Sequence, residues 1–142
     1  MDLDAIARAI QVERGCLETS PRARVGPSPI HGRGLFAEAP IGQGAVLVAL
    51  DGQRVSLADA PGVLFALEWN ALSRTALLVR EIRTSYGFIN HSRAPSVRID
   101  ADRMVLVAAC AVAPGAELLL DYLDQPLPAA YLAHPSAEFL RP

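Results

Sequence analysis

Three short stretches of this chain carry side chains that chemistry can use: residues 30–37, 87–95 and 115–122. The first sets Gly32 and Gly34 on either side of Arg33. Two glycines so spaced before a strand occur in many folds and usually only permit positive backbone angles. The second stretch holds Asn90, His91 and Ser92 in succession. Such a triplet is more often a turn capped by its own side chains. The third runs from Glu117 through Asp121 to a phenol, Tyr122. Strand alternation puts Glu117, Leu119 and Asp121 on one face and Tyr122 on the other. The two acids therefore read as structural or solvent-facing groups that hold the chain, not as an acid–base pair. His31 and His134 read as surface residues, and no spacing of His, Cys, Asp or Glu matches a metal site. Taken singly each stretch is weak. Their order and separation within one short chain give them weight.

The elements that must position them are short. Residues 2–14 carry Leu3, Ile6, Ala7, Ile10 and Val12 near helical spacing, and Gly15 is a stop signal, which predicts a short amphipathic helix. Residues 19–29, rich in Pro, Ser and Arg, read as extended chain or loop. The glycine turn leads into an apolar strand, and 40–44 is a second turn. The apolar run 45–50, bounded by Asp51 and Gly52, predicts a buried strand. Residues 57–80 are less regular and suggest a short helix around Leu64, Phe65, Leu67, Trp69 and Leu72. Residues 84–99 read as a polar crossing with little regular structure. Strands are expected over 104–112 and 117–122, separated by the Pro114–Gly115 turn. The tail after Tyr122 carries Tyr131, Leu132, Phe139 and Leu140 among prolines. Many short strands with Gly and Pro turns indicate a mostly β domain with a few short helices.

Length and composition bound the function. At 142 residues the chain fits one ordinary domain, and with 51% hydrophobic and 20% charged residues it has the balance of a globular fold with a core. No apolar run approaches the roughly 20 residues of a membrane span. The acidic start, Met1-Asp2-Leu3-Asp4, lacks the features of a secretory signal, and the separated Cys16 and Cys110 fit a reducing compartment. A cytoplasmic location is therefore expected. A net charge of −2 gives no electrostatic case for nucleic acid. All 13 basic residues are arginine, so methylation of its own lysine side chains is impossible. Mutational bias in a GC-rich genome is the commoner cause of such a composition; the alternative is an enzyme acting on lysine that avoids being its own substrate.

The three stretches together resemble the signatures of the SET-domain family of protein lysine methyltransferases. The first signature is similar to His31-Gly32-Arg33-Gly34-Leu35-Phe36-Ala37, the central one to Gly87-Phe88-Ile89-Asn90-His91-Ser92 with Pro95, and the third to residues 115–122, ending at Asp121-Tyr122. The resemblance covers residues 22–123 and implies a SET-domain fold of several small twisted sheets with a knot-like C-terminal crossing beside the cofactor. Residues 1–21 would be an N-terminal helix and lead-in, and 124–142 a C-terminal tail. The implied activity is methyl transfer from S-adenosylmethionine to a lysine side-chain amine of a protein substrate. By the same resemblance Gly32, Arg33, Gly34, Asn90, His91 and Tyr122 bind the cofactor, and Tyr122 is the catalytic residue. In-line displacement at a sulfonium methyl needs alignment and dryness more than bond-making by the protein. A lysine whose reference pKa is about 10.4 can be brought to its neutral form by desolvation beside a cation, without a separate base.

The chain also departs from the family. Many members carry a cysteine after the Asn-His-Ser triplet and a Cys-rich tail that together bind zinc and close the lysine channel. Arg93 stands at that position and no cysteine follows Tyr122, so no metal is expected. Closure falls to residues 124–142, where Tyr131 and Phe139 either cover the cofactor or fill a core, or to the partner in a homodimer. Family members also place an aromatic residue near Val97, Arg98 and Ile99, and Ser96 replaces an asparagine often found after the proline. Tyr86 and Trp69 are the remaining candidates for the substrate channel. A catalytically weak module that binds cofactor or a protein partner is one alternative; a small-amine acceptor is another.

Overall fold

The computed structural model describes residues 20–81 and 83–141; the helix expected over residues 2–14 lies outside them. In chain order the strands are β1 (Ala23–Pro27), β2 (Arg33–Ala37), β3 (Val46–Ala49), β4 (Gln53–Ser56), β5 (Glu68–Ala71), β6 (Ala76–Arg80), β7 (Asn90–His91), β8 (Val97–Asp100), β9 (Val105–Ala108) and β10 (Glu117–Leu120). Two short helices, α1 (Val63–Ala66) and α2 (Ala129–Ala133), and a few 3-10 turns complete the described chain. The fold is mostly β with short helices, as expected. The described residues divide into two compact units, one made of 20–50 and 84–121, the other of 51–83 and 122–141.

The first unit is a seven-stranded sheet in the order β1-β2-β10-β8-β9-β3, with β7 paired to β10 off that path. β1 and β2 form an antiparallel hairpin in which Pro27 faces Arg33. Its loop closes on Ser28, whose N–H donates to the Gly32 carbonyl at 2.9 Å. Ser28 Oγ also accepts from the Ile30 N–H at 3.0 Å. Gly32 makes the return at φ +46, a left-handed angle that suits glycine.

β10 organises this unit. Leu118 and Leu120 point into the core at 0% and 8% exposure while Glu117 and Leu119 alternate away from it. Each buried leucine contributes about 2 kcal/mol of hydrophobic stabilisation. β10 pairs antiparallel with β2 and parallel with both β7 and β8. At Leu120 one edge meets His91 and the other meets Val97. A strand has only two edges, so residues 92–96 must cross over β10 to join its two neighbours. Ser92 and Ser96 N–H donate to the Leu120 and Leu119 carbonyls at 3.0 and 2.9 Å, which satisfies the crossing's backbone in passing. This is the polar crossing expected over 84–99, with more regular structure than the sequence suggested.

The second unit contains a three-stranded antiparallel sheet, β4-β6-β5. Residues 57–80 thus hold two strands besides the short helix α1, where the sequence had predicted only the helix. Ser73 explains the reversal between β5 and β6: its Oγ accepts from the N–H of Thr75 and Ala76, making a tight turn. Val55, Val63, Leu64, Leu77 and Val79 form the core beneath this sheet. Arg80 is buried at 1% exposure, facing Glu68 in the register. The guanidinium bonds Glu68 Oε2, Asn70 Oδ1 and the Asp51 carbonyl, so its charge is paired and its donors are used. In the tail, Leu127, Ala137 and Leu140 make a second small core on which Trp69, Tyr122 and Tyr131 pack.

Candidate functional site

In the first unit the glycine turn and the Asn-His strand meet at one polar junction. Asn90 Nδ2 lies 3.1 Å from Ser28 Oγ, the His31 carbonyl and the Arg33 carbonyl, and 3.0 Å from Glu117 Oε1. Four acceptors around one NH2 group fix which way the amide faces, because a flipped carbonyl would meet oxygen on every side. Glu117 Oε1 also accepts from Ser28 Oγ at 2.6 Å.

Gly34 is what makes room for this junction. A β-carbon built on Gly34 would stand 2.1 Å from Glu117 Oε1 and 3.2 Å from Asn90 Nδ2. Gly32 differs: among the described residues nothing lies within 4 Å of where its β-carbon would be. Arg33 is exposed and sets its guanidinium over the Phe88 ring at 5.8 Å from the centroid.

The His91 ring turns elsewhere, with Nδ1 3.8 Å from Asp121 Oδ1. Asp121 is buried at 5% exposure and takes an ion pair from Arg93 Nη1 at 2.9 Å. The acid expected to be structural or solvent-facing is structural and not solvent-facing. Arg93 thus holds the residue just before Tyr122. Arg93→Ala should therefore cost about 1 kcal/mol, since the arginine is largely exposed and the pair is screened. The expected reading is a melting temperature lower by roughly 3 °C, checked by thermal unfolding. A melting temperature equal to wild type would show that Arg93 does not hold Asp121 in solution.

In the second unit Tyr122 opens a 3-10 turn and packs edge-on against Phe139, with ring centroids 6.0 Å apart. Burial pushes its phenol up to about 12; the nearby Tyr131 adds to the rise and the Arg83 guanidinium opposes it. Burial raises Tyr131 as well. Trp69, a channel candidate from the sequence, donates its indole N–H to the Leu64 carbonyl at 3.0 Å. Its ring meets Tyr131 edge-on at 5.1 Å. Tyr86, the other channel candidate, is buried at 5% exposure in the 3-10 turn Ser85–Phe88 of the first unit.

A raised phenol has a consequence for alkaline stability. Its folded value of about 12 exceeds the unfolded value near 10. The contribution is whole below pH 10 and is lost as pH climbs through 12. The wild type should lose stability more steeply than Tyr122→Phe across that window. Parallel denaturation curves for the two proteins would show that the phenol is not buried in this way.

The structure thus brings together Gly34, the Arg33 carbonyl and Asn90, and adds Ser28 and Glu117, which the sequence did not single out for this role. The signal lay in Gly34: a glycine inside a strand marks a place where another group comes close. Among the described residues no cluster of three or more His, Cys, Asp or Glu could hold a metal, and no helix is long and apolar enough to cross a membrane.

A strand threaded beneath a crossing, with a glycine hairpin tied to an amide, defines a small β protein built around a polar junction. The profile of the SET domain matches residues 32–123, most of the chain, and the protein belongs to the SET domain family. Members of that family are generally protein lysine methyltransferases, and they typically use S-adenosylmethionine. A comparison with curated proteins finds no match.

Proposed function

We propose that the protein transfers a methyl group from S-adenosylmethionine to the side-chain amine of a lysine in another protein. The observation that carries this reading is the Asn90 amide. Its Nδ2 is enclosed by Ser28, Glu117 and two turn carbonyls, and among the described residues no donor reaches Oδ1. An outward carbonyl at the edge of an open glycine turn suits the ammonium of a ligand's amino-acid end. The residues present therefore fit this cofactor: Asn90, with the backbone of Gly32, Arg33, Gly34 and His91, would hold it. Tyr122 is assigned to the same ligand. When bound, S-adenosylmethionine supplies an electrophilic methyl carbon.

The chain's own contribution is placement and proton control. Tyr122 keeps its proton at neutral pH, because burial sets its phenol near 12. It cannot take a proton from the incoming lysine. Its oxygen instead accepts a hydrogen bond from the neutral amine and aligns it for in-line attack. The amine sheds its own proton to solvent beforehand, so the rate should rise with pH until lysine is neutral. Trp69 and, separately, Tyr86 remain the candidates for the lysine side; the Trp69 N–H is committed to the Leu64 carbonyl.

The test is mass spectrometry of a lysate treated with the purified protein and isotopically labelled S-adenosylmethionine. Labelled methyl groups should appear on lysines of particular proteins. Because the chain has no lysine, none of that label is its own. One observation favours a second reading, a module that binds without turnover: β8 carries Val97, Arg98 and Ile99 and no aromatic ring. Calorimetric cofactor binding with no labelled lysine in any protein would select the module.

A further inference from the structure

Glu117 has no part in the chemistry proposed above, yet it sits at the centre of the polar junction. The geometry points to Glu117 as a positioning residue: fixed by Ser28, it joins the two turn carbonyls in holding the Asn90 amide firmly, with Oδ1 aimed at a ligand ammonium group. This rests on the reading that the ligand carries an amino-acid end.

The direction of each hydrogen follows from the contacts. Ser28 Oγ accepts from the Ile30 and His31 N–H groups at 3.0 and 3.4 Å. With its lone pairs engaged, its single proton goes to Glu117 Oε1 at 2.6 Å. The same oxygen then takes a hydrogen from Asn90 Nδ2 at 3.0 Å. Ser28 and Asn90 thus both donate to Glu117 Oε1, the one side-chain carboxylate in the junction. The two other acceptors for Nδ2 are carbonyls of the turn, His31 and Arg33, which belong to the backbone that Ser28 itself shapes. Removing Glu117 takes away the charged acceptor and frees the Ser28 proton to turn toward Asn90. A serine donor then works against the His31 and Arg33 carbonyls, which still favour NH2 inward, so the amide is held less firmly and part of the population turns over. In the molecules whose amide has turned over, the outward NH2 would repel an ammonium instead of accepting from it.

Glutamine at this position keeps an oxygen that accepts from both Ser28 and Asn90, so it should preserve the orientation. That separates aiming from charge. The experiment measures calorimetric affinities of wild type, Glu117→Gln, Glu117→Ala and Ser28→Ala for two probes. One is S-adenosylhomocysteine; the other is 5′-methylthioadenosine, which lacks the amino-acid end. Glu117→Ala should weaken S-adenosylhomocysteine about tenfold or more, with 5′-methylthioadenosine changed less than about twofold. Ser28→Ala should shift the first probe in the same direction by a smaller factor, and it serves where Glu117→Ala does not fold. Glu117→Gln should restore wild-type affinity to within about threefold. Equal loss of both probes would reduce Glu117 to a structural staple and overturn the inference. So would a glutamine variant as weak as alanine, which assigns the effect to charge, or an unchanged affinity in both the Glu117→Ala and Ser28→Ala proteins. Wild type that binds neither probe would instead overturn the cofactor reading itself, and this inference with it.

Discussion

Tyr122→Phe is expected to lower kcat by about 10²- to 10³-fold while changing the dissociation constant for S-adenosylhomocysteine by less than about threefold. The size follows from what removing one pre-positioned hydrogen-bonding group from a reaction centre typically costs. The split follows from where the group acts: it aligns the amine in the transition state and adds little to ground-state cofactor binding. Phenylalanine keeps the ring, and with it the edge-on packing on Phe139 and the contact with the Leu127, Ala137 and Leu140 cluster. Loss of turnover in this variant therefore cannot be charged to a lost fold, and a thermal melt at pH 7 should show little change. Methylation rates on an identified lysine substrate make the measurement. Turnover equal to wild type would remove Tyr122 from the mechanism and leave it as a packing residue.

The pH dependence tests the same assignment from another side. A phenol near 12 does not titrate across the neutral range, so any rise in rate with pH belongs to the amine that must become neutral. A tyrosine acting as base would need a value near the working pH. Desolvation moves Tyr122 the other way.

The sequence made some of this legible and hid the rest for physical reasons. The β class could be read because apolar runs such as 45–50 and 104–112 end at Gly and Pro turns, and these became β3 and β9. The hairpin of β5 and β6 could not. Ala76 to Val79 is a continuous apolar run buried almost throughout, and such a run shows no alternation to tell strand from helix. The site divided along the same line. Asn90 was legible because its neighbours in sequence form a signature. Glu117 was not, because its meaning depends on Ser28, 89 residues away along the chain. Alternation correctly turned Glu117 away from the leucine core but could not show that the opposite face holds a glycine. Tertiary pairing turned an apparently solvated acid into the anchor of an amide. Trp69 shows the converse: an aromatic residue suggestive of a substrate channel has its indole N–H tied to the backbone of α1.

Gly34→Ala tests that pairing, and its effect should rival that of Tyr122→Phe. Gly34 has no positive φ, so alanine meets no backbone penalty there. The whole cost is steric: the new methyl would lie 2.1 Å from Glu117 Oε1 and 3.0 Å from its Cδ. An unrestrained glutamate would swing aside at little cost. This one is tied by Ser28 at 2.6 Å and Asn90 at 3.0 Å, so yielding breaks both bonds. Overpacking of this kind costs about 1–3 kcal/mol of stability. Affinity for S-adenosylhomocysteine should fall at least tenfold, because the amide that faces the ligand loses its restraint. A double-mutant cycle separates steric conflict from a general intolerance of β2. If the methyl and the carboxylate compete for one space, Gly34→Ala should destabilise the Glu117→Ala protein far less than wild type, giving a coupling of about 1 kcal/mol or more. Additive losses would mean that the two residues do not share that space, and the junction as described would not exist in solution.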